Sequence, residues 1–278
     1  MGSPEHIVRM DTNSFLDEAT RVVDAASKEG VILRLLGAVS IYVHSRHDAT
    51  ALEVMRGLGR VSGDHLFSDL DFVAYGKQRG KVAQFLEKKL QFEPDRMVNA
   101  FNSQRRLIYY NRPSGYYIDV FFDKLEFSHT VQFGSGPGSG RLELDSHTLS
   151  LSDIALTKLQ INQINLKDLM DLNILFLVHE VAKEYSNRET VDGGYIARVI
   201  SDDWGFWYDA TTNLGRAMEV TSKLLAEGKI SDESSKTILG RMQALRSIID
   251  AQPKSRNWEK RAKTGTSKPW YQEFDEVS

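Results

Sequence analysis

Three aspartates carry the chemistry that this sequence can offer. Asp69 and Asp71 stand in Ser68-Asp69-Leu70-Asp71-Phe72-Val73, and Asp119 stands in Tyr117-Ile118-Asp119-Val120-Phe121-Phe122. In a strand, alternate side chains share a face. Leu70 and Phe72 then turn toward a core, and both acids turn the other way. Two like charges at that separation repel unless a cation lies between them. A hard divalent ion such as Mg²⁺, which prefers oxygen ligands, resolves the conflict. Ile118, Val120 and Phe122 leave Asp119 on the opposite face of its own strand, with Asp123 beyond it near the strand end. If the two strands are neighbours, three carboxylates converge. Two Mg²⁺ ions, or Mn²⁺ in their place, could then bridge nucleotide phosphates and an attacking hydroxyl. Taken alone, Asp-x-Asp equally marks a solvated strand face, or a glycosyltransferase holding a metal-bound nucleotide sugar.

Upstream, Leu35-Leu36-Gly37-Ala38-Val39-Ser40 reads as an apolar strand, a glycine and a helix start. Such a junction leaves backbone N–H groups pointing outward for phosphate oxygens. Gly37 permits a phosphate to approach the backbone, and Ser40 is the hydroxyl that could join it. An ordinary strand–helix turn has the same sequence. The order of strand–Gly–helix, Asp-x-Asp and a later Asp is more specific than any one part. Arg105 and Arg106 precede another strand, and alternation puts one on each face. Arg106 is the one assigned to the nucleotide, with a surface salt bridge as the alternative.

These residues need elements to hold them. Residues 12–29 read as an amphipathic helix stopped by Gly30, Val31–Leu36 as a buried strand, and Ala38–Ser45 as a helix start. Ala49–Leu58 is a further helix and Leu66–Tyr75 an alternating strand. Residues 79–90 form a helix, and Arg105–Asn111 with Tyr116–Phe122 form a hairpin across Arg112-Pro113-Ser114-Gly115. This is a mixed α/β sheet with flanking helices. The run GSGPGSG at 134–140 lacks the Lys-Ser/Thr ending of a phosphate-binding loop and reads as a plain loop. Beyond it the pattern turns helical. Ser152 is expected to cap Asp153–Gln163, and Asn165 a helix reaching Glu184. Ser201 is expected to cap 202–227 and Ser231 to cap 232–250. The division is an α/β catalytic domain over 1–150 and a helical domain with a tail over 151–278.

Other residues favour bland readings. His129 has no metal partner at ligand spacing and reads as a hydrogen-bonded loop histidine. Trp204, Trp207 and Tyr208 open a helix and read as packing rather than as a stacking surface. The basic, aromatic tail from Arg256 to Tyr271 could bind RNA, but a tail docked by its tryptophans looks the same. Its acidic ending favours docking.

Composition sets outer bounds. The 278 residues are 41% hydrophobic and 26% charged, ordinary for a globular chain, and the net charge of −3 offers no global attraction for nucleic acid. No DNA partner is expected. There are no cysteines, which excludes disulfides, thiolate metal sites and cysteine nucleophiles. The opening residues lack the apolar core of a signal peptide, and no stretch is long and apolar enough to span a bilayer. A cytoplasmic protein without a membrane partner is expected.

Gly37-Ala38, Asp69/Asp71 and Asp119 fill, in order, the motif of the DNA polymerase β-like nucleotidyltransferase superfamily, which the chain resembles over roughly residues 30–180. The resemblance implies a nucleotidyltransferase fold, Mg²⁺ as cofactor, and transfer of a nucleoside monophosphate from an NTP such as ATP to a hydroxyl, with release of pyrophosphate. The acceptor could be a small molecule, a protein or a tRNA. Within that superfamily, Leu156-Thr157-Lys158-Leu159-Gln160 followed by Leu166-Lys167-Asp168-Leu169-Met170-Asp171-Leu172 is similar to the abortive-infection toxin group of toxin–antitoxin systems. By that match Lys158 contacts the NTP phosphates and Asp168 supports the site. Two departures stand out. Ala38 replaces the usual second glycine or serine, and the insertion between Gly37 and Asp69 is long. A non-catalytic nucleotide-binding or toxin–antitoxin interaction module on the same fold is the alternative.

Overall fold

The computed structural model describes residues 10–57, 67–102 and 104–273. The expected Leu58 and Leu66 boundaries, and the acidic ending beyond residue 273, lie outside the described residues. The chain resolves into two compact units. One takes the described residues of 1–43, 61–124 and 132–149, and the other takes those of 44–60, 125–131 and 150–278. The main division therefore falls at residue 150, with two short stretches of the earlier sequence belonging to the helical unit.

In the first unit, helix α1 (Thr12–Lys28) is capped by the Asp11 carboxylate, which accepts from Ser14 N–H. It buries Phe15, Leu16, Ala19, Val22, Val23 and Ala26 along one stripe, and Gly30 ends it in the left-handed region. Strand β1 (Leu33–Leu35) runs into α2 (Gly37–Ser45). Strand β2 (Asp69–Ala74) follows, then α4 (Arg79–Gln84), β3 (Glu93–Pro94), α5 (Arg96–Asn102), β4 (Arg106–Asn111) and β5 (Tyr116–Phe122). Helix α3 (Ala49–Gly57) belongs to the other unit. The single helix expected over 79–90 divides at Phe85, where a π-helical turn to Lys89 takes over.

The five strands make one sheet in the order β1-β2-β5-β4-β3. Neighbours are antiparallel except β2 and β5, which run parallel. Parallel partners need a crossover, and the stretch from α4 to β4 supplies it. The β4–β5 turn at residues 112–115 is closed by Gly115 N–H donating to Asn111 C=O, with Gly115 at φ 68°. Leu70, Phe72, Ile118 and Val120 are fully buried on one face, each contributing ~1.5–3 kcal/mol through apolar burial. Alternation in β2 holds only as far as Phe72, because Val73, Ala74 and Tyr75 are all buried.

The second unit is mainly helical: α6 (Leu151–Leu159), α7 (Leu166–Val178), α8 (Gly193–Ile200), α9 (Trp204–Ala226), α10 (Asp232–Ala251) and α11 (Arg256–Ala262). Several boundaries correct the expectation. Ser150, not Ser152, caps α6, and the Ser152 hydroxyl instead accepts from Asp192 N–H. Asn165 and Ser231 cap as expected, but α7 stops at Val178. Two short parallel strands follow it, β8 (Glu180–Ala182) and β9 (Thr190–Asp192). Ser201 closes α8 rather than opening α9, whose cap is Asp203. Strands β6 (Lys124–Glu126) and β7 (Thr130–Gln132) pair in a small two-stranded sheet. Among the described residues, no helix is long and apolar enough to cross a membrane.

Candidate active site

The register of β2 against β5 decides where the aspartates meet. Asp71 lies directly opposite Asp119, and Asp69 lies opposite Tyr117. Directly opposed residues share a face, as do residues two apart on one strand. Asp69, Asp71 and Asp119 therefore stand on one face of the sheet, back to back with the buried Leu70, Phe72, Ile118 and Val120. Asp69 is exposed, and Asp71 and Asp119 are half-buried. Such partial burial lets a carboxylate meet a ligand while weakening the screening of its charge.

Gly37 adjoins this face. Its φ of 69° is left-handed, and a Cβ placed on it would come to 2.9 Å from Asp71 Oδ2. Leu36 N–H donates to the Asp71 carbonyl at 3.0 Å, which ties the start of α2 to β2. The glycine is thus needed twice, for a backbone angle and for clearance over a carboxylate. Ala38 follows in the first turn of α2. Ser40 is fully buried and its hydroxyl donates to Gly37 C=O at 2.6 Å, so it offers the carboxylate face no hydroxyl.

Arg106 faces Asp119. Its Nε and Nη2 both donate to the two oxygens of Asp119 in a fork. The guanidinium also lies 5.4 Å from the centre of the Phe121 ring. A bidentate pair of this kind is directional and among the stronger protein contacts. Asp119 is consequently partnered by a cation. Asp123 leaves the strand in a left-handed conformation at φ 62° and accepts from Gly76 N–H at 2.8 Å, so it serves the backbone.

Lys158 and Asp168 belong to the second unit. Lys158 is only 7% exposed, and its ammonium donates to Asp168 and, at 3.0 Å, to Asp171. Burial alone would lower the lysine's pKa, but Asp171 and Asp168 outweigh it and hold the ammonium above its ordinary value. The same contacts explain why two acids, one of them 2% exposed, tolerate burial. Within this unit the tail docks by its aromatic residues. Trp258 packs edge-on against Trp207, Trp270 packs against Tyr208, and Trp270 Nε1 donates to Asp209 at 3.1 Å. His129 Nε2 bonds Asp209 at 2.7 Å and its ring stacks on Phe206. A pocket of about 320 Å³ forms there, lined by His129, Asp203, Phe206, Arg261 and Trp270, of which His129 and Trp270 both bond Asp209. The glycine run at 134–140 packs on Tyr75, because a Cβ on Gly140 would strike that ring.

Sequence reasoning missed two features. Tyr117, 58% exposed beside Asp69, pairs its ring with Tyr110 at 4.8 Å between centres, giving the carboxylate face an aromatic floor. Alternation along β5 could have found it, since Tyr117 is two residues from Asp119. The other is a set of three ligand groups, His44, His179 and Glu189, with atoms within 4.8 Å of one another. Among the described residues it is the set that meets that spacing, and the three aspartates do not. Compared with protein-family models, curated proteins and solved structures, the chain matches none.

Proposed function

We propose that the chain is a nucleotidyltransferase that moves a nucleoside monophosphate from an NTP to an acceptor hydroxyl. The observation that carries this reading is the opposition of Asp71 and Asp119 on a half-open sheet face, beside Asp69 and under a glycine that leaves Asp71 clear. Three hard oxygen donors suit Mg²⁺ and suit soft or nitrogen-seeking metals poorly. When bound there, Mg²⁺ would draw charge from the phosphate oxygens. Asp69 and Asp71 would hold it. Asp119 would accept the acceptor's proton as the acceptor oxygen bonds to the α-phosphorus and pyrophosphate leaves. To do so it must give up its fork with Arg106, which is then released toward the phosphates. Tyr117 offers a flat ring for a base or sugar.

The test is incubation with each α-labelled NTP, Mg²⁺ or Mn²⁺, and a cell extract, with label sorted into small molecules, protein and RNA. Label transfer with pyrophosphate release, lost in Asp71→Asn, is the expected result. No transfer with any NTP and either metal would overturn the reading. A second reading draws on the same Arg106–Asp119 fork, since a permanently neutralised carboxylate suits a module that binds nucleotide without turning it over. Calorimetry separates the two: nucleotide binding that ignores Mg²⁺, without turnover, favours the module.

A further inference from the structure

His44 lies in the last turn of α2, in the stretch from residue 44 that belongs to the second unit, while His179 directly follows α7 and Glu189 directly precedes β9. Glu189 Oε2 lies 3.4 Å from His44 Nδ1 and 3.7 Å from His179 Nδ1, and the two imidazoles stand perpendicular with centres 5.4 Å apart. Ligand atoms about 2.0–2.2 Å from a tetrahedral zinc ion stand roughly 3.3–3.6 Å from one another. Glu189 Oε2 and His44 Nδ1 meet that spacing, and one ligand atom from each of the three residues lies within 4.8 Å of the others.

The surroundings resemble a built site. His179 is 4% exposed, and its Nε2 is buried with no hydrogen-bond partner. Its Nδ1 lies 3.2 Å from the Glu189 carbonyl. Backbone carbonyls commonly orient metal-binding imidazoles in this way, fixing which nitrogen keeps the lone pair. Glu189 is fixed from behind, since its N–H donates to Asn187 Oδ1 at 2.8 Å. Two cations lie nearby and neither fills the cluster. Arg188 faces the other carboxylate oxygen, Oε1, at 3.5 Å, and Arg241 donates to the carbonyls of Phe176 and Leu177.

We propose that His44, His179 and Glu189 bind one divalent transition-metal ion of the zinc class, with a fourth position open to solvent on the exposed Glu189 side. Imidazole donors select zinc, cobalt or nickel over magnesium, so this site takes a different metal from the aspartate face. The ion would pin the β8–β9 connection to the ends of α2 and α7.

The experiment titrates Zn²⁺ into full-length, chelator-washed protein by calorimetry, and Co²⁺ by visible absorption. An Asp71→Asn background keeps the aspartate face from contributing, so failure here leaves the nucleotidyltransferase reading untouched. One equivalent of Zn²⁺ per chain is expected, together with the intense visible bands of four-coordinate Co²⁺. Glu189→Gln, at an exposed position, is expected to weaken Zn²⁺ binding by about 10–100-fold while leaving the melting temperature of the metal-free protein unchanged. His44→Gln serves as the second variant. Equal Zn²⁺ affinity with and without Glu189→Gln, or no saturable binding in the parent, would overturn the proposal.

Discussion

The aspartate face of the sheet and the Lys158 cluster of the helical unit both gather acids, yet they handle charge in opposite ways. Around Lys158, two carboxylates and one ammonium meet inside the protein, and each acid is accounted for by a bond to that ammonium. On the sheet, Asp71 and Asp119 are set opposite each other, with Asp69 beside them, on a face that solvent reaches. The first arrangement is closed and satisfies itself. The second sets like charges beside one another where a ligand can enter, with Asp119 held in the Arg106 fork. Partly exposed acids held together against their repulsion are the stronger sign of a site.

Breaking each region tests that contrast. The largest effect is expected for Asp71→Asn, which should lower Mg²⁺-dependent pyrophosphate release by on the order of 10³, read by a coupled phosphate assay. Its melting temperature should hold or rise, because a repulsion is removed. Lys158→Met should do the reverse. It strands the buried Asp171 and the part-buried Asp168 and should cost about 3–5 kcal/mol of stability, read by urea unfolding. A folded Lys158→Met protein that loses nucleotide affinity would instead assign Lys158 to the nucleotide. The pH dependence has a definite sign. Because the pKa of Lys158 is raised on folding, the wild-type advantage is complete below the ordinary lysine value of 10.5 and is lost only as pH climbs through the higher folded value.

Smaller changes sharpen the picture. Gly37→Ala should cost about 1–2 kcal/mol for its left-handed backbone and should also cut turnover, since the new methyl displaces the Asp71 carboxylate. Tyr117→Ala should leave stability within about 0.5 kcal/mol while raising KM for the NTP. An unchanged KM would remove the aromatic floor from the site.

The sheet residues were legible because alternation is local. Asp69, Leu70, Asp71 and Phe72 announce two faces within four positions, and the hairpin turn is signed by Pro113 and Gly115. Which strand lies beside which is not local. Only the parallel β2–β5 pairing sets Asp71 against Asp119, and only the antiparallel β4–β5 pairing aims Arg106 at it. Helix α8 opens on Gly193-Gly194, a pair that carries little helix propensity, although Asp192 caps the helix and a Cβ on Gly194 would strike the Lys183 carbonyl. His44, His179 and Glu189 share no spacing that a motif could register, since the cluster exists only once three elements have packed.

The parallel pairing of β2 with β5 also has a kinetic side. A hairpin such as β4–β5 closes through a short turn, whereas β2 must wait for the whole α4–β4 crossover before it finds its partner, a slow non-local step. That step also drives two carboxylates together. Refolding is therefore expected to quicken with added salt or Mg²⁺, and the Asp71→Asn chain to refold fast without either. The acids that would make the protein an enzyme would then also slow its assembly.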